Sequence, residues 1–331
     1  MKALAYQRAH PLEAFAIELV EVAEPVPRDA DLVVEVGAVG VNPGETRVRR
    51  TRSADPGGRV VLGWELAGVV VAVGPAVSGF SVGDRVLGTG DPTRDGCWAE
   101  RVAIDHRVVA RVPDTLSLVD AASLPIGGVT AWEALFREGG ALPAGVDRVL
   151  VVGGAGGVGS LATQLLATRT SATVICTASR PESQRWCTTM GADLVVDHGA
   201  DVPAALRSAG IEHVDMVLST AGTAANLAWI APLLRPHGHL AAVDLDGPLD
   251  LGPLVLRSVS VHTEMVFNAV VHGEDPSAQG RILHELAADA AAGRLRPITT
   301  TRLQGLSAQS MRAAHQLLES RRTIGKVVIA T

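Results

Sequence analysis

A glycine-rich run near the middle of the chain has the spacing of a phosphate-binding turn. Arg148 to Val152 has the pattern of a buried strand, the sequence GGAGGVG follows at 153–159, and apolar residues then recur at helical spacing. Strand, glycine turn and helix in this order place a helix N-terminus where a pyrophosphate can bind. The G-x-G-x-x-G pattern therefore predicts a dinucleotide site. Its residues are Gly154, Gly156, Gly157, Val158 and Gly159.

The strand after this turn indicates which dinucleotide binds. Ala172 to Thr177 is followed by Ala178-Ser179-Arg180, where a site selective for NAD usually carries an Asp or Glu that binds the ribose 2′-hydroxyl. A hydroxyl and a guanidinium instead suit a 2′-phosphate, because arginine supplies planar, charge-assisted donors. Ser179 and Arg180 thus favour NADPH. The alternative is that Ser179 caps the next helix and Arg180 is solvated.

A second candidate group lies early in the chain. The stretch VLGWELAG, residues 61–68, sets Trp64 beside Glu65 in a turn bracketed by glycines, just before an apolar run. The Trp64 ring could stack on a flat substrate, and a core position for it is equally well supported. For Glu65 we expect an ion pair rather than general acid catalysis.

Composition excludes several other chemistries. The three cysteines, Cys97, Cys176 and Cys187, have no C-x-x-C spacing, so the sequence offers no disulfide framework and no zinc knuckle. The single tyrosine, Tyr6, precedes the glycine run, which excludes a reductase that needs a Tyr/Lys pair after it. A net charge of −6 gives no field that would attract nucleic acid. With no apolar run of about 18 residues and no signal-peptide core, we expect a cytoplasmic protein without membrane segments.

The predicted secondary structure that positions these residues changes along the chain from mainly strands to alternating strands and helices. Up to about residue 123 the sequence has short strands divided by turns such as Asn42-Pro43-Gly44, which is typical of a β-rich domain. From about Leu124, helical stretches such as Thr130 to Arg137 alternate with β-branched runs, which predicts a parallel sheet covered on both faces. We predict a dinucleotide-binding domain over 124–268 and a first domain over 1–123 that is completed by 269–331.

Several motifs in register resemble one family. The stretches VNPGETRVR, LGWELAGVVVAVG, CWAERVAI, LPIGGVTAWEAL, VVGGAGGVG, MGADLVVDH and GKVVI resemble the medium-chain dehydrogenase/reductase superfamily over nearly the whole chain. The resemblance is strongest to its zinc-free quinone oxidoreductase branch and to the group labelled zinc-type alcohol dehydrogenase-like. It implies an α/β protein with a GroES-like, β-rich catalytic domain, a doubly wound Rossmann domain, and a cleft between them where nicotinamide meets substrate.

The resemblance also implies which residues touch the substrate. Zinc-dependent members carry metal ligands at positions that here hold Asn42, Trp64 and a residue near Ile126, none of which is an ordinary zinc ligand. Asn42 corresponds to an asparagine beside nicotinamide and substrate, unless its side chain forms an Asx turn. Arg47 stands where quinone reductases often have tyrosine. A guanidinium there would favour an anionic or enolate-forming substrate, and a surface arginine is the alternative.

Further positions in the Rossmann domain follow from the resemblance. Thr130 corresponds to a threonine at a helix start that contacts the nicotinamide ribose or diphosphate; a simple helix cap is the alternative. The pair His237 and His239 is interpreted as a solvated turn between a helix and a strand rather than as a metal site. The other expected cofactor contacts are His198, Thr220, Ala221, Val266 and Phe267.

These features predict a zinc-independent, NADPH-dependent reductase. Without a metal to stabilise an alkoxide, alcohol oxidation loses its main electrostatic support, whereas a quinone or an α,β-unsaturated carbonyl spreads the developing charge by conjugation. The alternatives are a dedicated enoyl or enone reductase of a biosynthetic pathway and a non-catalytic protein that senses NADPH. Members of the branch are often dimers through the last Rossmann strands, here near Ser258 to His262, so we expect a homodimer.

Overall fold

The chain folds into two units. The computed structural model describes residues 1–137, 140–244 and 247–331. One unit consists of Met1–Ile126 with Phe267–Thr331, and the other of Gly127–Val266. The first unit holds the β-rich region and the closing elements, and the second holds the region of alternating strands and helices. The unit boundaries lie a few residues from the predicted 123/124 and 268/269.

The strands and helices have the following bounds. The strands are β1 (Lys2–Tyr6), β2 (Glu18–Glu21), β3 (Asp31–Val41), β4 (Val60–Val61), β5 (Glu65–Val73), β6 (Arg85–Thr89), β7 (Arg101–Asp105), β8 (Val109–Arg111), β9 (Arg148–Val152), β10 (Thr173–Thr177), β11 (Leu194–Val196), β12 (Val214–Ser219), β13 (Leu234–Ala242), β14 (Ser260–Thr263), β15 (Thr299–Gln304) and β16 (Lys326–Ala330). The helices are α1 (Pro43–Thr51), α2 (Leu118–Ala121), α3 (Pro125–Leu135), α4 (Gly157–Arg169), α5 (Pro181–Thr189), α6 (Val202–Ser208), α7 (Thr223–Leu233), α8 (Gly252–Val255), α9 (Asn268–His272), α10 (Ser277–Ala291) and α11 (Ala308–Glu319), with a 3-10 helix at His106–Val108. Of the helices in the described ranges, none is long and apolar enough to cross a membrane.

The second unit is built on a parallel sheet. Its strand order is β11-β10-β9-β12-β13-β14, and each neighbouring pair runs parallel. Counted along the chain this is the order 3-2-1-4-5-6 of a Rossmann domain. Side chains on both faces of β9 are buried, as Val149, Leu150 and Val151 show, because helices cover both sides of such a sheet. The predicted doubly wound α/β fold is confirmed, and the carboxyl ends of its strands meet at one edge.

The first unit contains a mixed sheet in which the last strand of the chain, β16, lies between β15 and β3. The order is β15-β16-β3-β5-β6-β8, with β7 also paired to β3. β16 runs antiparallel to β3, and Val327 lies opposite Val41. Lys326, one position before Val327, is therefore carried next to Asn42, the residue that follows β3. A separate three-stranded sheet has the order β2-β1-β4.

Helix α1 follows β3 without a loop, and its first residues explain why. Asn42 is the N-cap, and Pro43 takes the first helical position, where its fixed φ suits a helix and its missing N–H is not needed. Glu45 turns back so that its Oε2 accepts a hydrogen bond from Asn42 N at 2.7 Å. This is one half of a capping box, which fixes where the helix begins.

Helix α1 is also anchored to α11 by a buried arginine. Arg49 is fully buried, its Nη2 lies 2.5 Å from Glu319 Oε1, and its Nη1 donates to His315 Nδ1 at 2.8 Å. Burial, together with the Arg49 charge, lowers the pKa of His315 to about 3, so this imidazole stays neutral and accepts. The arginines of α1 therefore do not all lie on one exposed face of the helix, because Arg49 is buried and anchors α1 to α11.

Two predictions about local structure were wrong. Helix α3 begins at Pro125, so Thr130 lies in its second turn, where it is buried, and is neither a helix start nor a cap. His237 and His239 lie within β13 rather than in a loop before it. The pairing of β13 with β12 shifts register in this stretch, and His237 has a φ of 59°. The strand is therefore locally irregular, and the sequence of such a stretch resembles that of a turn.

Candidate active site

The Asn42 side chain is held on both sides by charged groups. Lys326 Nζ donates a hydrogen bond to Asn42 Oδ1 at 2.6 Å, and Asn42 Nδ2 donates to Glu65 Oε2 at 3.0 Å. Because the ammonium can only donate and the carboxylate can only accept, these bonds fix which end of the amide points where. The side chain thus bonds across the unit rather than within an Asx turn. Within the described residues, the second Nδ2 hydrogen has no acceptor.

Glu65 forms the ion pair expected from the sequence. Its carboxylate contacts the Lys326 ammonium, and its Oε1 accepts a hydrogen bond from Ile126 N at 2.8 Å. Both side chains are almost fully buried. A buried pair is tolerated only when its remaining polar positions are bonded, and here Asn42 and the Ile126 N–H supply those bonds. Asn42, Glu65 and Lys326 are called the amide triad below.

Glu45 ties the backbone of the two candidate site residues together. Its Oε2 accepts from Asn42 N at 2.7 Å, and its Oε1 accepts from Trp64 N at 3.1 Å. Complete burial raises the pKa of Glu45 to about 8, and the two backbone N–H groups oppose this rise. The carboxyl is therefore mainly protonated at neutral pH, and its role is to position Asn42 and Trp64.

Trp64 takes the core position rather than an open stacking surface. It is 4% exposed, and its ring meets that of Phe267 edge to face, with centroids 5.6 Å apart. Its Nε1 is buried and has no hydrogen-bond partner among the residues that the structure describes. Phe267 therefore packs in the first unit. Arg47 is exposed on α1, outside the buried amide triad.

The glycine loop of the second unit has the geometry that its spacing predicts. A Cβ on Gly154 would lie 2.7 Å from Cys176 Cβ, and one on Gly159 would lie 2.3 Å from Gly153 O, so tight packing excludes side chains at both. A Cβ on Gly156 would meet only Gly153 O, at 3.5 Å. Packing within the protein therefore does not explain why position 156 is a glycine. A pyrophosphate that lies against the backbone of Gly156 would require one.

Helix α4 begins directly after this glycine. Gly156 is the N-cap and brings no side chain to the first helical N–H groups, which belong to Gly157 and Val158. These groups and the helix dipole suit a phosphate anion. The Thr177 hydroxyl accepts from Gly153 N at 3.0 Å and holds the turn against β10. The residues present thus fit a dinucleotide pyrophosphate.

The next strand ends lie at the same edge of the sheet. Ser179 is exposed after β10, and Arg180 is half-buried with its Nη1 3.0 Å from Glu182 Oε1. Arg180, not Ser179, is the N-cap of α5, so the helix-cap alternative for Ser179 was wrong. The Ser183 hydroxyl accepts from Arg180 N at 3.1 Å, which leaves the Ser179 side chain outside the cap. His198 is exposed in the turn after β11.

Thr220 and Ala221 follow β12 at this edge. Thr220 Oγ1 donates to Val152 O at 2.8 Å, which ties the end of β12 to that of β9. Gly222 N donates to Asp244 Oδ2 at 2.6 Å, and Asp244 Oδ1 is buried without a partner in the described part of the chain. These hydrogen bonds link the carboxyl ends of β9, β12 and β13 to one another. Val266 is buried at the end of the unit.

Comparison with known proteins agrees with this architecture. The alcohol dehydrogenase GroES-like domain matches residues 28–114, and the zinc-binding dehydrogenase family matches 190–329. A zinc-type alcohol dehydrogenase-like protein of Staphylococcus aureus (strain MSSA476) is 35% identical over 99% of both chains. A quinone oxidoreductase of Lama guanicoe is 31% identical over 93% of this chain and 91% of its own.

Two solved structures extend the likeness to the whole fold. A protein of Rhizobium etli CFN 42 that is described as a zinc-dependent alcohol dehydrogenase is 39% identical, with a TM-score of 0.95, and the match covers 100% of this chain and 98% of that one. A mycobacterial protein in complex with NADPH is 28% identical, with a TM-score of 0.83 and full coverage of both chains. The chain belongs to the medium-chain dehydrogenase/reductase superfamily. Its GroES-like and Rossmann domains make it an oxidoreductase of this type.

The zinc ion of many medium-chain dehydrogenases does not fit the residues present here. Trp64 offers an indole N–H, which cannot ligate a cation. Asn42 Oδ1 is bonded to Lys326, and the two oxygens of Glu65 are bonded to Lys326, Asn42 and Ile126 N. Across 1–137, 140–244 and 247–331, no group of three or more His, Cys, Asp or Glu side chains could hold a metal ion. The positive charge beside Asn42 is the Lys326 ammonium.

Sequence reasoning missed two residues of this candidate site. Lys326 contributes through a strand near the end of the chain, and its signal is that the chain has only two lysines, one of which begins an otherwise apolar strand. Glu45 had a local signal as well. Asn42-Pro43-Gly44-Glu45 has the N-cap and third-position pattern of a capping box.

Proposed function

We propose that this medium-chain reductase uses NADPH to reduce a quinone or an α,β-unsaturated carbonyl without zinc. The observation that carries the proposal is the amide triad, in which Lys326 and Glu65 hold the Asn42 amide at the position of a zinc ligand. The triad leaves one Asn42 N–H free to donate to a substrate oxygen. Reduced nicotinamide, when bound, supplies the hydride.

The strength of this donor favours a conjugated acceptor. A neutral amide N–H stabilises a developing oxyanion less than a metal cation does, so a simple ketone or alcohol is a poor substrate. A quinone or enone spreads the negative charge over several atoms and needs less help at the oxygen. Lys326 donates to Asn42 and is paired with Glu65, and in this proposal the proton comes from water or from a donor that the sequence does not identify. Arg47, exposed on α1, would attract an anionic substrate.

The preference for NADPH rests on Ser179 and Arg180. Ala178, Ser179 and Arg180 follow Thr177 at the end of β10, and none of them is a carboxylate that could bind a ribose 2′-hydroxyl. The Arg180 guanidinium lies at the strand-end edge, where it is paired with Glu182 and can turn toward a 2′-phosphate when NADPH binds. The NADPH complex of the mycobacterial relative supports the same choice.

We further propose that the protein is a homodimer through β14. This strand is the last in the order of the parallel sheet, and it pairs with β13 along one edge. Val255 and Leu256, which precede it, are 70% and 90% exposed. An edge strand flanked by exposed apolar side chains is suited to pairing with a second copy of itself. Sedimentation of the wild-type chain and of Leu256→Asp tests this: the wild type should be dimeric and the variant monomeric.

The reductase proposal is tested by activity after metal removal. The protein, dialysed against a strong chelator, is assayed for NADPH oxidation with a panel of quinones, enones, simple ketones and alcohols. We expect turnover of conjugated acceptors only, unchanged by the chelator. Activity that disappears with the metal and returns with zinc would refute the proposal. Tight NADPH binding without turnover of any acceptor would instead support a sensor.

A further inference from the structure

Two cysteines meet directly beneath the glycine loop. Cys176 lies in β10 and Cys187 in α5, and both are fully buried. A Cβ placed on Gly154 would lie 2.8 Å from Cys176 Sγ and 3.1 Å from Cys187 Sγ. Both sulfurs therefore lie against the backbone of the first glycine of the dinucleotide motif. The third cysteine, Cys97, lies in the first unit and donates to Glu65 O at 3.4 Å.

The two thiols already interact. The neighbouring Cys176 thiol lowers the pKa of Cys187, and the Cys187 sulfur raises the pKa of Cys176. The Cys176 sulfur also lies 3.1 Å from Thr163 Oγ1. Cys187 therefore has more thiolate character, and the thiolate is the reactive form. A thiolate next to a second thiol is the arrangement in which a sulfenic acid, once formed, is resolved to a disulfide.

We propose that Cys176 and Cys187 are an oxidation site for hydroperoxides, and that their disulfide weakens dinucleotide binding. The Cys187 thiolate attacks one peroxide oxygen, the O–O bond breaks, and the leaving oxygen is protonated to water or an alcohol. Cys187 is then a sulfenic acid. The Cys176 thiol attacks its sulfur, the S–S bond forms, the S–O bond breaks, and the oxygen leaves as water. Two thiols are oxidised and one hydroperoxide is reduced.

The effect on binding follows from the position of Gly154. A disulfide holds its two sulfurs about 2.05 Å apart, closer than two unbonded thiols can lie, so β10 and α5 must adjust to each other. Gly154 packs on both sulfurs, and Gly154 N donates to Thr177 O at 3.2 Å, so the turn must shift with them. The N–H groups that face the pyrophosphate then lose their geometry. Because the thiols are buried, the oxidant must be small, such as hydrogen peroxide.

The first test is the identity of the linked peptides. Trypsin cleaves after Arg185, so it separates peptide 170–185, which holds Cys176, from 186–207, which holds Cys187. The full chain is treated with hydrogen peroxide, quenched with catalase and digested without reductant. We expect a linked pair that is lighter by two hydrogens than the sum of its peptides, and that separates on adding dithiothreitol. Oxidised protein that lacks this pair would overturn the proposal.

The second test is binding, measured by titrating NADPH without any acceptor. We expect oxidation to weaken the affinity of the wild type about tenfold, and dithiothreitol to restore it. After peroxide treatment, Cys176→Ser and Cys187→Ser should each bind NADPH as tightly as their own untreated samples. Cys97→Ser should lose NADPH affinity on treatment, as the wild type does. A linked pair formed with unchanged NADPH affinity would also overturn the proposal. Neither test measures turnover, so failure of this proposal can be distinguished from failure of the reductase proposal. The peptide test uses the wild-type chain, so it remains valid if a serine variant does not fold.

Discussion

Lys326 and Asn42 are 284 positions apart in sequence, yet Lys326 Nζ donates to Asn42 Oδ1 at 2.6 Å inside the first unit. The contact exists because β16 pairs antiparallel with β3, which brings the start of the last strand to the end of β3. The same ammonium neutralises Glu65, so one lysine both orients the amide and balances a buried carboxylate. Several consequences of this arrangement can be measured.

Removing the Lys326 charge should destabilise the protein through Glu65. Lys326→Met leaves a buried carboxylate without its counter-charge, which costs about 3–5 kcal/mol in the free energy of unfolding. Chemical denaturation measures this loss. The double variant Lys326→Met with Glu65→Gln removes both charges and should recover part of the lost stability. If the double variant is no more stable than Lys326→Met, the ion pair is not the source of the effect.

Removing the Asn42 amide should act on the chemical step. Asn42→Ala deletes the proposed donor to the substrate oxygen, and loss of one such donor lowers kcat by about 100-fold. The NADPH dissociation constant should not change, because the glycine loop and Arg180 belong to the second unit. Steady-state kinetics with a quinone, together with an NADPH titration, separates the two quantities. A variant with unchanged kcat would exclude Asn42 as the donor.

Glu45 should make stability depend on pH. Its pKa is raised from 4.5 to about 8 in the folded protein, so the folded state binds more protons than the unfolded state between these values. The stabilisation is complete below the unfolded pKa of 4.5 and is lost as pH rises through about 8. Thermal unfolding from pH 5 to 9 should show this decline. In Glu45→Gln the decline should be smaller, and an equal decline would assign the titration to another group.

The two glycines of the loop should respond differently to the same substitution. Gly154→Ala places a methyl group 2.7 Å from Cys176 Cβ, which forces β10 and the turn apart and lowers the unfolding temperature. Gly156→Ala meets only Gly153 O at 3.5 Å, so it should fold normally but bind NADPH more weakly. Thermal unfolding and NADPH titration are measured on both. Unchanged NADPH affinity in Gly156→Ala would contradict the proposed pyrophosphate position.

Arg180 should discriminate between the two dinucleotides. Arg180→Ala removes the charge-assisted contact to a 2′-phosphate, so NADPH affinity should fall about tenfold while NADH affinity changes little. Glu182→Gln is the matched control, because it releases Arg180 from its ion pair and should leave NADPH binding intact or stronger. Equal losses for NADPH and NADH in Arg180→Ala would show that Arg180 does not select the cofactor.

The sequence by itself determined the parts that depend on neighbours along the chain. The β-branched runs predicted the parallel sheet, and the spacing of Gly154, Gly156 and Gly159 predicted the turn, because each pattern acts within one strand–turn–helix unit. The sequence predicts this helix from Thr130, whereas α3 begins at Pro125. The predicted start is too late because Pro125 and Gly127 are residue types that are typical of a turn. In the structure Gly127 packs closely on Leu161, which only the fold of the second unit makes visible.

Only the tertiary structure decided the chemistry of the first unit. Asn42, Glu65 and Lys326 come from three separate segments, and the registers of β16 and β5 against β3 bring them together. No local pattern encodes those registers. Burial likewise decided the state of Glu45, because a pKa depends on desolvation and on neighbouring charges rather than on residue type alone. Local geometry is determined by adjacent residues, whereas ion pairs and proton affinities depend on contacts that form when distant segments pack together.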